Sequence, residues 1–217
     1  MRPGNNGSDT FRIELIRKTI HLCSIVIPAV YWYIPKAAAL AILFPLTIVV
    51  AALDLARYRI PAMEAWFTGT FGILLRSHEL DKKRISLSGA TYVLLSATLT
   101  ILIFPKLIAV TSFSTLILCD ISAALVGRKF GRHRFFHKSL EGSGAFFLTG
   151  ILLIAVLPKI EYSATEYLIS GAAVACGTAV EALPIPVDDN FSVPLTVGSL
   201  LWCGYTVFLP HLNIHSF

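Results

Sequence analysis

The sequence predicts an all-α fold, a polytopic bundle of about seven transmembrane helices. Three observations lead to this prediction. The 217 residues are 55% hydrophobic and only 14% charged, which excludes a soluble globular domain and a disordered chain alike. Seven apolar segments approach the length of about 20 residues that a membrane-spanning helix needs. The basic residues are concentrated in alternate connections between these segments, as the positive-inside rule requires.

The predicted spans follow one another along the chain. The first residues are polar and lack a signal-peptide cleavage pattern, so we expect the first apolar run to remain as a helix. The fifth span is short, and the moderately apolar segment 61–76 is expected to lie at the interface or re-enter rather than span. The spans are 20–34, 37–56, 87–104, 107–126, 145–157, 167–183 and 193–212.

The distribution of lysine and arginine predicts a cytoplasmic N-terminus. With that orientation, only Lys36, Lys106 and Lys159 of the 18 basic residues fall outside. The chain is then one integral-membrane domain, 1–217, with a cytoplasmic N-terminal segment, 1–19, and cytoplasmic loops at 57–86 and 127–144. The net charge of +5 reflects this topology, so no nucleic-acid partner is expected.

The same topology gathers the acidic residues into one layer. Only Glu161 and Glu166 fall at the outer face. A transporter more often places its ionisable residues near the bilayer midplane. A layer at one face instead favours an enzyme that takes a water-soluble substrate from the cytosol and a lipid from the membrane. The inner group is Glu14, Asp54, Asp120, Glu141, Glu181, Asp188 and Asp189.

The segment 120–143 contains the strongest candidate site. Asp120 lies inside the end of an apolar helix, and a basic loop punctuated by glycines follows it. Ionisable groups at membrane depth are functional candidates, although neighbouring Ser or Arg side chains would also satisfy this carboxylate. Glycines allow the backbone to approach a phosphate, and Lys and Arg neutralise it. The segment therefore predicts a divalent metal on Asp120 and a polyphosphate on the basic loop.

Three smaller clusters lie near the inner face, and two of them admit two interpretations each. Residues 14–21 place acidic, basic and histidine side chains on one helical face, as either a phosphate clamp or an interfacial anchor. Residues 81–92 begin a span with Ser and Gly, as either an anion site or an ordinary serine cap. Asp54 and Arg57 are interpreted as a helix-end ion pair. His78, His211 and His215 are expected at the surface or interface.

The segment 181–190 predicts a second metal-binding element. Its carboxylates and Asn190 form the set of hard oxygen ligands that holds Mg²⁺ together with substrate phosphates. A helix cap would explain one aspartate but not the whole cluster. The four cysteines lie far apart within apolar runs, so they indicate packing rather than metal binding or disulfides.

Taken together, these motifs resemble the CTP-dependent polyprenol kinase family, which includes dolichol kinase, phytol kinase and the CTP-dependent diacylglycerol kinase. The resemblance extends over nearly the whole chain. The middle block also resembles the phosphatidate cytidylyltransferases, which use CTP, but their long C-terminal metal-binding signature is absent. The matching residues are Glu14, Arg17, Lys18 and His21; Asp120, Ala124, Gly127, Arg128 and Gly131; Lys138, Ser139, Glu141, Gly142 and Ser143; and Glu181, Asp189 and Asn190.

The resemblance implies a kinase that transfers the γ-phosphoryl group of CTP to a membrane lipid alcohol, with Mg²⁺ as cofactor. Catalytic roles go to Asp120, Lys138 and Glu141, with Asp120 as the base. The nucleotide and its phosphates are assigned to Arg17, Lys18, His21, Gly127, Arg128, Gly131, Ser139, Gly142 and Ser143. Magnesium is assigned to Asp120, Glu181, Asp188, Asp189 and Asn190.

Two other functions remain open at this level, a phosphatidate cytidylyltransferase and a transporter of an anionic lipid. The alcohol itself, whether polyprenol, phytol or diacylglycerol, is not specified by the sequence. A stripe of small residues, Gly171, Ala175 and Ala179, would pack helices within or between chains. A homo-oligomer is therefore left open.

Overall fold

The computed structural model describes residues 7–75, 86–136 and 138–215, which form helices and one short hairpin. The helices are α1 (Gly7–Cys23), α2 (Val26–Tyr33), α3 (Lys36–Ala56), α4 (Pro61–Phe71), α5 (Gly89–Ile103), α6 (Lys106–Phe130), α7 (Leu140–Val156), α8 (Ala164–Ala182) and α9 (Asp189–Phe208). Strands β1 (Arg134–Phe135) and β2 (Lys138–Ser139) pair antiparallel between α6 and α7.

Helix α6 is the centre of the bundle. It packs against α1, α2, α5, α7 and α9, and Leu116, Ile117 and Cys119 on it are wholly buried. Because it is covered on nearly every side, its apolar residues continue all around the helix rather than along one stripe. Its last turns, which carry Asp120 and Gly127, are the part that reaches the candidate site.

Within the described part of the chain, three helices, α3, α6 and α9, are long and apolar enough to cross a membrane, and α5 and α7 are shorter apolar helices. The predicted first span, 20–34, is divided between α1 and α2, which meet at a turn after Cys23. Helix α4 has 11 residues, about 16 Å at 1.5 Å per residue. That length is too short to span, which agrees with the interpretation of 61–76.

The N-terminus of α5 is occupied by a side chain of the protein itself. The buried Asp54 carboxylate accepts hydrogen bonds from the Ser88 amide and the Thr91 hydroxyl and pairs with Arg57 at 3.0 Å. Ser88 is also the N-cap of α5. The ion-pair interpretation of Asp54 therefore holds, and this helix start is a cap rather than an anion site. His78 and residues 81–85 of the predicted cluster lie outside the described residues.

A buried carboxylate, that of Glu166, stabilises the N-terminal end of α8. Glu166 is fully buried and accepts hydrogen bonds from the amides of Ile160, Glu161 and Ser163 and from the hydroxyl of Tyr205. These four bonds fasten the connection before α8 to α9, and a charge satisfied in this way needs no ligand. The candidate site accordingly lies at the opposite end of α8.

Candidate active site

A cavity of about 950 Å³ lies at the C-terminal end of α6. Its walls come from α1, the end of α6, the hairpin, the start of α7 and the facing ends of α8 and α9. Twelve of the residues predicted from the sequence line it together: Arg17, Lys18, Asp120, Gly127, Arg128, Gly131, Lys138, Ser139, Gly142, Ser143, Glu181 and Asp189. Chain segments up to about 170 residues apart thus converge on one space.

An ion pair joins α1 to α6 on the inner wall of this cavity. Lys18 Nζ lies 2.5 Å from Asp120 Oδ2, and His21 Nε2 lies 3.5 Å from the same oxygen. Lys18 and Asp120 are only 8% and 7% exposed. A buried pair of this kind is costly to break, because removing one partner leaves the other charge without compensation.

Glu14 orients two arginines at the cavity. Its Oε2 lies 3.0 Å from an Arg17 nitrogen and 3.1 Å from an Arg128 nitrogen, so one carboxylate holds a guanidinium from α1 beside one from α6. The Arg128 side chain remains 40% exposed. Each guanidinium has five N–H donors in a planar fork, and donors left over from the pairing match phosphate oxygens.

Lys138 connects the hairpin to α8 and α9. Its Nζ donates to Glu181 Oε1 at 2.6 Å and to Asp189 Oδ2 at 2.9 Å. Burial alone would lower the pKa of the ammonium, but the carboxylates of Asp189 and Glu181 outweigh it and the pKa is raised. Lys138 is therefore a fixed cation between two carboxylates. We call Lys138, Glu181 and Asp189 the Lys138 cluster.

Glycines allow the start of α7 to lie directly on α6. Ser139 is the N-cap of α7 and accepts a hydrogen bond from the Gly142 amide. A Cβ on Gly142 would stand 2.9 Å from the Ala123 carbonyl oxygen and 3.3 Å from the Gly127 Cα. Both are backbone atoms of α6, which cannot move away without displacing the helix, so only glycine fits here.

The substitution Gly142→Ala is expected to push α7 away from α6. Overpacking of this kind costs about 1–3 kcal/mol in free energy of unfolding, and the displaced cavity wall should also weaken nucleotide binding. Gly144→Ala is the matched control on the same helix, because its Cβ would meet nothing within 4 Å; it should gain about 0.5–1 kcal/mol. Thermal unfolding in detergent measures both changes, and equal melting temperatures for the two variants would contradict this account of the glycine.

Four predicted site residues do not line this cavity. Glu141 accepts hydrogen bonds from the His133 amide and ring, the ring at 2.8 Å, and so fastens the loop before the hairpin. This position gives its predicted catalytic role no geometric support. Asp188 and Asn190 are used in the N-terminal cap of α9. His21 stands behind Asp120 and contacts it directly instead of facing the cavity.

The cavity also holds several residues to which the sequence motifs gave no site role. Glu14 belongs to the matching motif, but its role is to orient one arginine of α1 and one of α6. That role becomes visible only when the two helices are seen to be in contact. Arg134 lines the cavity from β1, and its presence in the basic loop was the only signal. Ile73 and Leu75 line the cavity from the turns that follow α4, and no sequence pattern indicated them.

The predicted magnesium ligands fit a cation only in part. Within 7–75, 86–136 and 138–215, no group of three or more His, Cys, Asp or Glu side chains is arranged to hold a metal. Glu181 and Asp189 nevertheless share one ammonium, and Glu181 Oε2 is buried with no hydrogen-bond partner among these residues. Mg²⁺ commonly takes one or two carboxylates together with substrate phosphates, so this pair matches such a donor set.

Comparisons with known proteins identify relatives of this chain. It is 30% identical over 208 residues to an uncharacterised protein of Rickettsia prowazekii, covering 94% of this chain and 98% of the relative. It is 26% identical over 163 residues to CTP-dependent diacylglycerol kinase 1 of Schizosaccharomyces pombe, covering 69% and 73%. It is 30% identical over 96 residues to a phytol kinase of Synechocystis, covering 42% and 41%.

No family model matches the chain, and no solved structure is significantly similar to it. The relatives with stated activities are kinases of lipid alcohols, so the kinase resemblance of the motifs is confirmed. The cytidylyltransferase resemblance is not shown by these relatives. The apolar helices and the lipid kinase relatives together identify a membrane protein. The named relatives therefore support a place for this chain in the family of CTP-dependent polyprenol and lipid kinases.

Proposed function

We propose that this protein transfers the γ-phosphoryl group of CTP to the hydroxyl of a membrane lipid alcohol, giving CDP and a lipid phosphate. The observation that supports this most strongly is the cavity at the end of α6. It combines arginines, lysines and carboxylates in one space at the end of an apolar helix bundle. Phosphoryl transfer needs such positioning and charge neutralisation more than it needs covalent chemistry.

The triphosphate is proposed to lie along the wall that Arg17 and Arg128 share. Their orientation by Glu14 places guanidinium donors from two helices on one surface. The Ser143 hydroxyl is buried beside the same cavity and has no hydrogen-bond partner among the described residues. A buried hydroxyl in this state costs free energy until a ligand satisfies it, and a phosphate oxygen is the acceptor we propose.

In the proposed reaction, the alcohol oxygen forms a bond to the γ-phosphorus and the bond from that phosphorus to the β,γ-bridging oxygen breaks. CDP leaves with the bridging oxygen. The hydroxyl proton passes to a carboxylate of the site, and Asp120 is the base we propose. Lys138 holds the facing carboxylates of α8 and α9 together at the transfer position.

Magnesium is the proposed cofactor. Bound with the triphosphate, it would neutralise negative charge on the β- and γ-phosphate oxygens. Glu181 and Asp189 are the residues that would hold it, since both carboxylates already face one cation, the Lys138 ammonium.

The protein is further proposed to be multi-pass, with a cytoplasmic N-terminus and a cytoplasm-facing active site. The positive-inside distribution supports this orientation, because only three lysines fall in the opposite connections. The end of α6 that carries Arg128 and Lys129 is then the cytoplasmic end. CTP is a cytosolic nucleotide, so the cavity would open towards its source.

The decisive test uses the purified protein in lipid with Mg²⁺ and CTP labelled separately on the α- and γ-phosphates. Phytol, polyprenol, diacylglycerol and phosphatidate are offered together. We expect the γ label in a lipid, and the labelled lipid names the substrate. The α label in a lipid would establish a cytidylyltransferase instead. Absence of both labels, with ATP also tried as donor, would favour the transporter interpretation.

A further inference from the structure

A second cavity of about 600 Å³ adjoins the first. It lies between the end of α8, the start of α9 and the beginning of α5. All three residues of the Lys138 cluster line both cavities. The cluster is therefore a shared wall, and a group bound in either cavity meets the same ammonium and carboxylates.

The outer side of the second cavity is apolar. It is lined by the connection between α8 and α9, which reads Leu-Pro-Ile-Pro-Val over 183–187. Leu183, Ile185 and Val187 are 46%, 39% and 46% exposed. Connections at a protein surface are usually polar, and an exposed apolar one marks contact with lipid or with another apolar partner.

The charges of the described residues that line this cavity disfavour an anionic ligand. Among the described residues that line it, Lys138 is the one cation, while Glu181, Asp188 and Asp189 carry carboxylates. The hydroxyl-bearing side chains Ser86, Tyr92 and Ser192 complete the polar part of the lining. A neutral hydroxyl can accept from the ammonium and donate to a carboxylate, whereas a phosphate would face like charges.

We propose that the second cavity is the acceptor site, where the hydroxyl end of a neutral lipid alcohol binds while its chain leaves across the apolar rim at 183–187. This inference rests on the proposed kinase function and adds to it the place and charge of the acceptor. The alcohol hydroxyl and the triphosphate would meet at the Lys138 cluster, where the second cavity adjoins the first and where Asp120 lines the side of the triphosphate. Among the described residues that line this cavity, the same carboxylates disfavour an anionic acceptor such as phosphatidate.

The test places a large side chain in the second cavity by a substitution on α9. Ser192 lines the second cavity, whereas Ser199 lies two turns further along the same helix and is exposed away from it. We expect Ser192→Phe to raise the KM for the lipid alcohol by about tenfold or more, equivalent to about 1.4 kcal/mol, with the Kd for CTP unchanged. The matched control, Ser199→Phe, should change neither value.

A binding measurement keeps the inference testable if Ser192→Phe fails to fold. The wild-type protein is irradiated with a diazirine-bearing phytol, and the labelled peptides are mapped with and without excess unlabelled phytol. We expect competed labelling within 183–192. Competed labelling elsewhere, or a Ser192→Phe variant with the lipid KM of Ser199→Phe, would overturn the acceptor site while leaving the kinase proposal intact. Competed labelling at 183–192 without transfer to any alcohol would instead contradict the kinase proposal.

Discussion

The variant Lys138→Met is expected to lose phosphoryl transfer by a factor of about 10² to 10³ or more. Removing one preorganised charge from an active site typically costs that much in kcat. Lys138 is bound to Glu181 and Asp189 in the wall between the two cavities, so its loss also leaves two carboxylates facing each other. Transfer of γ label from CTP to the preferred lipid alcohol measures the effect.

The matched control for this variant is Lys129→Met. Lys129 lies at the same end of the bundle, in the last turn of α6, but it is exposed and stacks on Phe130 rather than lining the cavity. It should retain the turnover of the unmodified protein. Full turnover in Lys138→Met would remove the Lys138 cluster from the proposed mechanism.

The variant Asp120→Asn is expected to lose both transfer and stability. Lys18 is buried and has Asp120 as its ion-pair partner, so the substitution leaves an uncompensated ammonium in the bundle. Breaking a buried pair in this way costs about 3–5 kcal/mol in free energy of unfolding. Thermal unfolding in detergent measures the stability change, and transfer of γ label measures the activity.

The double variant Asp120→Asn with Lys18→Met separates structure from catalysis. Because it removes both charges, it should recover most of the stability that Asp120→Asn loses. It should not recover transfer, since the proposed base is still missing and the predicted phosphate ligand Lys18 is removed with it. If turnover returned together with stability, Asp120 would be only the structural partner of Lys18, and its assignment as base would fall.

Much of the helical architecture could be predicted from the sequence, because hydropathy is a local property of the chain. The predicted segment 37–56 corresponds to α3, and 107–126 to the body of α6. The ends of the helices were less predictable than their central parts. Helix α6 continues to Phe130 and α7 begins at Leu140, so helical turns occupy both ends of the predicted loop 127–144. Polar helix ends and polar loops have the same composition, so hydropathy cannot separate them.

The structure brings most of the predicted site residues to one cavity and gives a few of them other contacts. Most assigned residues line one cavity, because glycines and paired charges beside apolar helices are rare unless they are used. The role of Glu141 was harder to predict, since only the fold shows that it contacts His133. Asp188 and Asn190 belong to a helix cap, and a capping aspartate looks the same in sequence as a metal ligand.

The sequence by itself determined that the chain forms apolar helices, that its polar residues collect at one end of them, and which motifs it shares with lipid kinases. These properties depend on composition and on spacing within one segment. Only the tertiary structure decided the partners of the charges. Lys18 meets Asp120 across 102 residues of chain, and Lys138 meets Glu181 and Asp189 across 43 and 51. The choice of partner depends on helix packing, because an ammonium buried in a bundle binds whichever carboxylate the packing brings within reach.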